Sequence, residues 1–257
     1  METLIPFPAG CRMMNTGIDV GGTFTDIVSF EGREFTHVQT LKTSEFLKNP
    51  CMVGECSNAV FAIAGWVREG RVIRTPNIPG FDAKLFEGRR VENDANCFAI
   101  YARHVTGFSS IFAVTLGTGI GSAIIADSKL YRGNGLASEI GHAFVGGKER
   151  CVCGGIGHLE TFFSGWVIKK RFGRELSREE LLRLDGFKVL CAEIAKAVLI
   201  LDPEAVVFGG RISALLEPED FRQIYDFLPP EFRPEIRVIK DALAVAKGAA
   251  ILAGGGE

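Results

Sequence analysis

The chain reads as an α/β protein of two lobes with like topology, and three observations lead there. A glycine-turned hairpin at 17–36 (GIDVGGTFTDIVSFEGREFT) recurs at 113–132 (AVTLGTGIGSAIIADSKLYR), aligned without a gap so that Leu116-Gly117 falls on Val20-Gly21 and Asp127-Ser128 on Glu31-Gly32. Such duplication points to two similar lobes, each offering one turn to a shared cleft. Short strand patterns alternate with stretches whose apolar residues recur at helical spacing, as at 190, 194, 197, 198 and 201. Finally, 257 residues exceed the common size of one domain, so one large or two smaller cores are expected.

In the first hairpin, Gly21, Gly22 and Thr23 turn one strand into the next. A glycine turn lets backbone N–H groups approach phosphate oxygens with no Cβ in the way. No GK[ST] follows and no helix opens after it, so it is not a Walker loop; an ordinary hairpin is the other reading. The echo at Gly117, Thr118 and Gly119 favours the phosphate role.

Residues 58–64 form a buried-strand pattern that ends in Ala64-Gly65-Trp66, and a proline-rich loop follows at 75–81 (TPNIPGF). A brief strand at 89–92 leads into Asn93-Asp94-Ala95-Asn96 and a helix through about 105. Asp94 therefore sits at a strand-to-helix junction, where it reads either as an N-cap or as a carboxylate kept ionised by the helix N-terminus and ready to accept a proton. Residues 159–172 read as a helix with Phe162, Phe163, Trp166 and Val167 in the core, and Ser177-x-x-Glu180 is a capping box. A longer helix from 187 stops at Pro203, and a buried strand at 205–208 runs into Gly209-Gly210, a turn that suits a nucleotide base or ribose. Residues 216–234 read as a surface excursion, 236–239 as a last strand and 241–253 as an alanine-rich helix.

The rarest side chains gather at 139–160, EIGHAFVGGKERCVCGGIGHLE. His142, Cys151, Cys153 and His158 supply two imidazoles and two thiols in one glycine-rich loop, the donor set of a closed tetrahedral zinc. Such a zinc is structural and would fix the loop that carries Glu139 and Glu160. The alternative is two buried thiols and two unrelated histidines.

Charge nearly cancels, with 29 basic against 31 acidic residues, and no basic stripe runs along the chain, so nucleic acid is not an expected partner. No apolar run reaches membrane-spanning length. Cys11 follows small residues but lacks the basic and apolar stretches of a lipoprotein signal, and the first dozen residues read as an unstructured extension. Seven cysteines without a secretory signal fit a reducing cytoplasm; Cys11, Cys51, Cys56, Cys97 and Cys191 read as small hydrophobes or bystanders.

Seven motifs occur in one order: DVGGTFTD at 19–26, PNIPGF at 76–81, ENDAN at 92–96, LGTGIG at 116–121, EIGH at 139–142, CVCGGIGHLE at 151–160 and VVFGGRIS at 206–213. In this the chain resembles the ROK (repressor, open reading frame, kinase) family from about residue 17 to 253. The resemblance implies a ribonuclease H-like, actin-like ATPase fold: a first lobe at 13–107, to which a helix at 241–257 returns, and a second at 108–240. It also implies an ATP-dependent kinase acting on a hexose such as glucose, with Mg²⁺ and a structural zinc, cytoplasmic and homodimeric. Asp94 would be the general base, and Asp19 would hold Mg²⁺ through water. Gly65, Asn77, Asn93, Glu139, His142 and Glu160 match sugar-binding positions, the two Gly/Thr turns phosphate-binding ones, and Gly209 and Gly210 the adenosine.

The chain departs from the family pattern at His158, where most members carry a third cysteine, at Phe24, where lysine or asparagine is common, and at 41–59, too short for the usual long helix. Other readings of the same resemblance are a kinase for an N-acetylhexosamine or fructose and a non-catalytic sugar sensor. DVGGTFTD also resembles hydantoinase and oxoprolinase subunits, which do not carry the other motifs.

Overall fold

A computed structural model describes residues 14–50, 58–78 and 80–256. The expectations for residues 1–12 and for Cys11, Cys51 and Cys56 fall outside the described residues.

In the first half, β1 (Asn15–Val20), β2 (Phe24–Glu31) and β3 (Glu34–Lys42) form an antiparallel meander, followed by a single helical turn α1 (Thr43–Phe46). Strand β4 (Ala59–Ile63) pairs parallel with β1. A small hairpin, β5 (Trp66–Arg68) and β6 (Arg71–Arg74), precedes β7 (Arg90–Asn93), which joins β4 in parallel and hands the chain to α2 (Asp94–Thr106). The second half repeats the plan. Strands β8 (Ile111–Leu116), β9 (Ile120–Ala126) and β10 (Lys129–Tyr131) form the meander, α3 (Gly165–Phe172), α4 (Arg178–Leu182) and α5 (Asp185–Leu201) follow, β11 (Ala205–Gly209) and β12 (Glu235–Val238) add in parallel, and α6 (Ala244–Ala253) ends the described chain.

The two five-stranded sheets have the same connectivity, β3-β2-β1-β4-β7 and β10-β9-β8-β11-β12. The duplication read from the sequence thus extends to the whole sheet, with one correction. Val20 pairs with Thr25, whereas Leu116 pairs with Ile120, so the second glycine turn is one residue shorter and the alignment slips there.

Helices α2 and α6 pack between the sheets in a core of small residues, among them Ala95, Ala99, Ala102, Ala113, Ala249 and Ala253. Their crossing is tight enough that a Cβ at Gly248 would strike the Cys97 carbonyl, which is why this helix interior carries a glycine despite its cost to helix stability. The outer face of the second sheet is covered by α5 and by Leu159 and Phe163. On the first sheet that face is closed by Phe46 and by Phe86 of a 3₁₀ turn, and the expectation for 41–59 falls partly outside the described residues.

Two readings need correction. Residues 159–172 are not one helix: a 3₁₀ turn at Leu159–Thr161 is followed by α3, which Ser164 caps by accepting from the Val167 N–H. The 216–234 segment is not a surface excursion, because its 3₁₀ helix Pro218–Phe227 buries Phe221 and Ile224, and Phe221 stacks on Phe208 at 3.6 Å.

Candidate active site between the lobes

Both glycine turns open on one cleft of about 200 Å³ between the sheets. From the first lobe it is lined by Asp19, Gly21, Gly22, Gly65, Asn77, Asn93 and Asp94, and from the second by Thr118, Gly119, Glu139, His142 and Glu160. Trp66, Pro76 and Thr115 line it too, and the sequence reading assigned them nothing.

Each turn is pinned by the segment that follows its lobe's meander. Thr43 donates its N–H to the Thr23 carbonyl at 2.9 Å and its hydroxyl to the Gly21 carbonyl at 2.8 Å. In the second lobe the first N–H groups of α3 do the same work, Gly165 donating to Gly117 and Trp166 to Thr118, both at 2.9 Å. These bonds use N–H groups that a helix start leaves unpaired. Glu160 accepts from the Ile120 N–H at 2.8 Å, and a Cβ at Gly119 would push that carboxylate out of place.

At the β7–α2 junction the cap is Asn93, not Asp94. Asn93 is the N-cap, its side chain accepting from the Asn96 N–H at 3.1 Å while donating to the Gly65 carbonyl at 2.9 Å. Asp94 is the first helical residue and lines the cleft. Glu92 braces the junction, accepting from the Asn93 N–H at 2.9 Å, the Asn96 amide at 2.8 Å and, from the second lobe, Arg132 Nε at 2.8 Å.

The cleft crowds negative charge. Burial pushes the Asp94 carboxyl up to about 6 against the backbone N–H groups of residues 95 and 94, which hold it down, and the Glu160 charge adds to the rise. Burial, then the Asp94 charge, lifts Glu139 to about 7, opposed by the facing Trp66 indole N–H. Asp19 lies well above the usual range through burial and the charges of Asp94 and Asp26, and Glu160 is raised by burial. Acids disposed this way accept hydroxyl protons or bind cations.

The loop at 139–160 folds through Val145 N–H to Gly157 and Cys151 N–H to Gly155 carbonyl bonds, each 2.8 Å. This brings the ligand atoms of His142, Cys151, Cys153 and His158 within 4.8 Å of one another. Cys151 Sγ is 3.7 Å from His142 Nδ1, and Cys153 Sγ is 3.2 Å from His158 Nδ1. An S···N edge around a tetrahedral zinc is about 3.6 Å, so the donor set fits that ion. Burial, with the His158 and Arg74 charges, lowers His142 to about 4 and keeps its imidazole neutral, as a ligand must be. Its other nitrogen, Nε2, lies 3.9 Å from Glu139 in the cleft.

Thr23, Gly117, Gly209 and Gly210 do not line the cleft. Gly117 lies behind the second turn, bonded to α3. Gly209 packs on the Phe98 ring, and Gly210, at φ +89°, leads past Leu116 to a second groove of about 230 Å³. That groove is lined by Ile168, Leu176, Leu181, Ile212 and Leu215, with Lys169, Arg174 and Arg211 at its edge. Only Arg211 and Ile212, in the motif at 206–213, were marked in the sequence; the other walls come from α3, α4 and the segments beside them. Cys97 and Cys191 are buried core residues.

Duplicated sheets enclosing a carboxylate-floored cleft between two glycine turns define a two-lobed, actin-like ATPase fold. The chain belongs to the ROK family, whose model matches residues 15–218. An N-acetyl-D-glucosamine kinase of Pasteurella multocida (strain Pm70) is 27% identical over 273 residues, covering 84% of this chain and 88% of that protein. Among solved structures, a ROK family glucokinase from Streptomyces griseus in complex with glucose and AMPPNP superposes with a TM-score of 0.75 at 26% identity, covering 95% of this chain and 100% of that one. The ROK hexokinase from Thermus thermophilus gives a TM-score of 0.69 at 26% identity, with 93% and 97% covered.

Proposed function

We propose that the chain phosphorylates a hexose of the glucose type with ATP. The observation that carries this reading is the convergence of Asp94, both glycine turns and the Glu139, His142 and Glu160 rim on one cleft. Asp94 takes the proton of a sugar hydroxyl as that oxygen bonds to the γ-phosphorus; the bond to the β–γ bridging oxygen breaks, and ADP leaves. A carboxyl pushed to about 6 is ionised at neutral pH and more basic than an ordinary aspartate, which suits the task.

Glu139 and Glu160 accept from sugar hydroxyls, with Asn77, Asn93, Gly65 and His142 Nε2 completing the ring of contacts. Gly21 and Gly22 face Thr118 and Gly119 across the phosphates, with Thr23 and Gly117 shaping the two turns from behind, while Gly209 and Gly210 guide the adenosine toward the apolar groove. Asp19 would hold Mg²⁺, which would supply charge neutralisation on the phosphates. His142, Cys151, Cys153 and His158 would hold a structural zinc, which would fix the loop bearing Glu139 and Glu160.

The Pasteurella relative favours a second reading, phosphorylation of an N-acetylhexosamine at the same site. ADP release with ATP and a panel of hexoses and N-acetylhexosamines tests both. Turnover on glucose is expected; no sugar-stimulated ADP release on any member would overturn the kinase reading.

A further inference from the structure

Resting on the kinase reading, we propose that Trp66 sets the sugar specificity, admitting a hexose with free hydroxyls at the Glu139–His142 corner and shutting out one that carries an N-acetyl group there. Trp66 opens β5 in the first lobe yet meets the rim of the second: its ring stands edge-on to His142 at 5.4 Å and 89°. It lines the cleft together with Gly65, Glu139 and His142.

Its own neighbours hold the indole there. The Arg74 guanidinium lies 5.7 Å from the ring centroid, and Arg74 Nη1 donates to the Cys153 carbonyl at 2.8 Å. The β5–β6 hairpin is thereby seated on the cysteine loop, and the wall cannot swing back without giving up a cation–π contact and a hydrogen bond. The whole cleft, about 200 Å³, must take the sugar and reach the phosphate turns. An acetyl group at this corner would meet the indole, whereas a hydroxyl needs less room there and can donate to the Glu139 carboxylate beside it. A site that hydrogen-bonds a substrate hydroxyl rejects an analogue lacking it more strongly than an apolar pocket rejects a methylene.

The test compares kcat/KM for glucose and N-acetylglucosamine in the wild type, Trp66→Phe and Trp66→Ala. The wild type is expected to prefer glucose, and Trp66→Ala to shift the ratio toward N-acetylglucosamine by about tenfold or more. Trp66→Phe keeps the preference but raises KM for glucose, since the bulk remains and the N–H is lost. An unchanged ratio in Trp66→Ala, a shift toward glucose, or a wild type that prefers N-acetylglucosamine would overturn the assignment. Ligand-induced thermal shifts on the same variants read the wall without chemistry: glucose stabilises the wild type, and N-acetylglucosamine stabilises only Trp66→Ala. That pattern without turnover would sink the kinase reading and leave the wall standing; N-acetylglucosamine stabilising the wild type as well as glucose does would sink the wall. Thermal melts without ligand identify a misfolded variant, and Trp66→Leu then replaces Trp66→Ala.

Discussion

Asp19, Asp94, Glu139 and Glu160 all titrate above their ordinary range, with burial as the first cause in each case. Ionising such a group costs more in the folded chain than in the unfolded one. The stability that a raised carboxyl contributes is therefore complete below its unfolded value and is lost as pH rises through the folded one. For Asp94 that window runs from 3.8 to about 6. Asp94→Asn should accordingly stabilise the ligand-free protein at pH 7.5, by on the order of 1–3 kcal/mol, and have little effect below the window. Thermal melts at the two pH values check this, and an equal or lower melting temperature for the variant at pH 7.5 would count against it. The same ionisation shapes activity: kcat/KM for the sugar should climb with pH to a plateau above about 6, and a flat profile through that value would contradict Asp94 as the base. At this scale the sequence was half legible. The run Asn93-Asp94-Ala95-Asn96 placed a cap and a carboxylate at one junction, but which residue caps depends on a one-residue choice of helix start that periodicity does not fix.

The β7–α2 junction works as a unit, since Glu92 ties Asn93 and Asn96 to Arg132 of the other lobe. Arg132→Met should lower kcat about tenfold or more with little change in KM for the sugar, because the contact positions Asp94 and does not touch substrate. Loss of that nearby cation should also move the acid limb of the pH profile upward, and Arg132→Lys should restore part of both effects. Equal losses in kcat and stability with an unmoved pH profile would reduce Arg132 to a structural role. Glu92 stood in a quoted motif, yet its partner lies 40 positions along the chain, a pairing that only the fold reveals. Hairpins, the Ser177 capping box and the buried β11 strand were legible because their signals are local. The break at 162–164 was not: Ser164 caps α3, and the second glycine turn takes its first N–H groups, a tertiary demand that overrides a continuous helical pattern.

Across the whole molecule, duplication was readable because each meander repeats residue types at the same spacing, while the slip in the second hairpin was hidden by a turn one residue shorter. The cysteine loop was readable because its four donors lie within 17 residues of one another in the chain and within 4.8 Å in space. Elemental analysis of purified protein should find about one zinc per chain, and chelation should lower the melting temperature, since metal binding free energy adds to folding. Folded, active protein with no zinc would remove the ion from the account. The Trp66 wall and the apolar groove were illegible, each being assembled from segments far apart in sequence.

The central claim, that Asp94 is the base in a cleft shared by sugar and triphosphate, is tested most directly by Asp94→Asn in a coupled ADP-release assay alongside a sugar-binding titration. The amide should keep sugar affinity within a few-fold and lose phosphoryl transfer by about a hundredfold or more. A variant that binds sugar and turns over at the wild-type rate would contradict it.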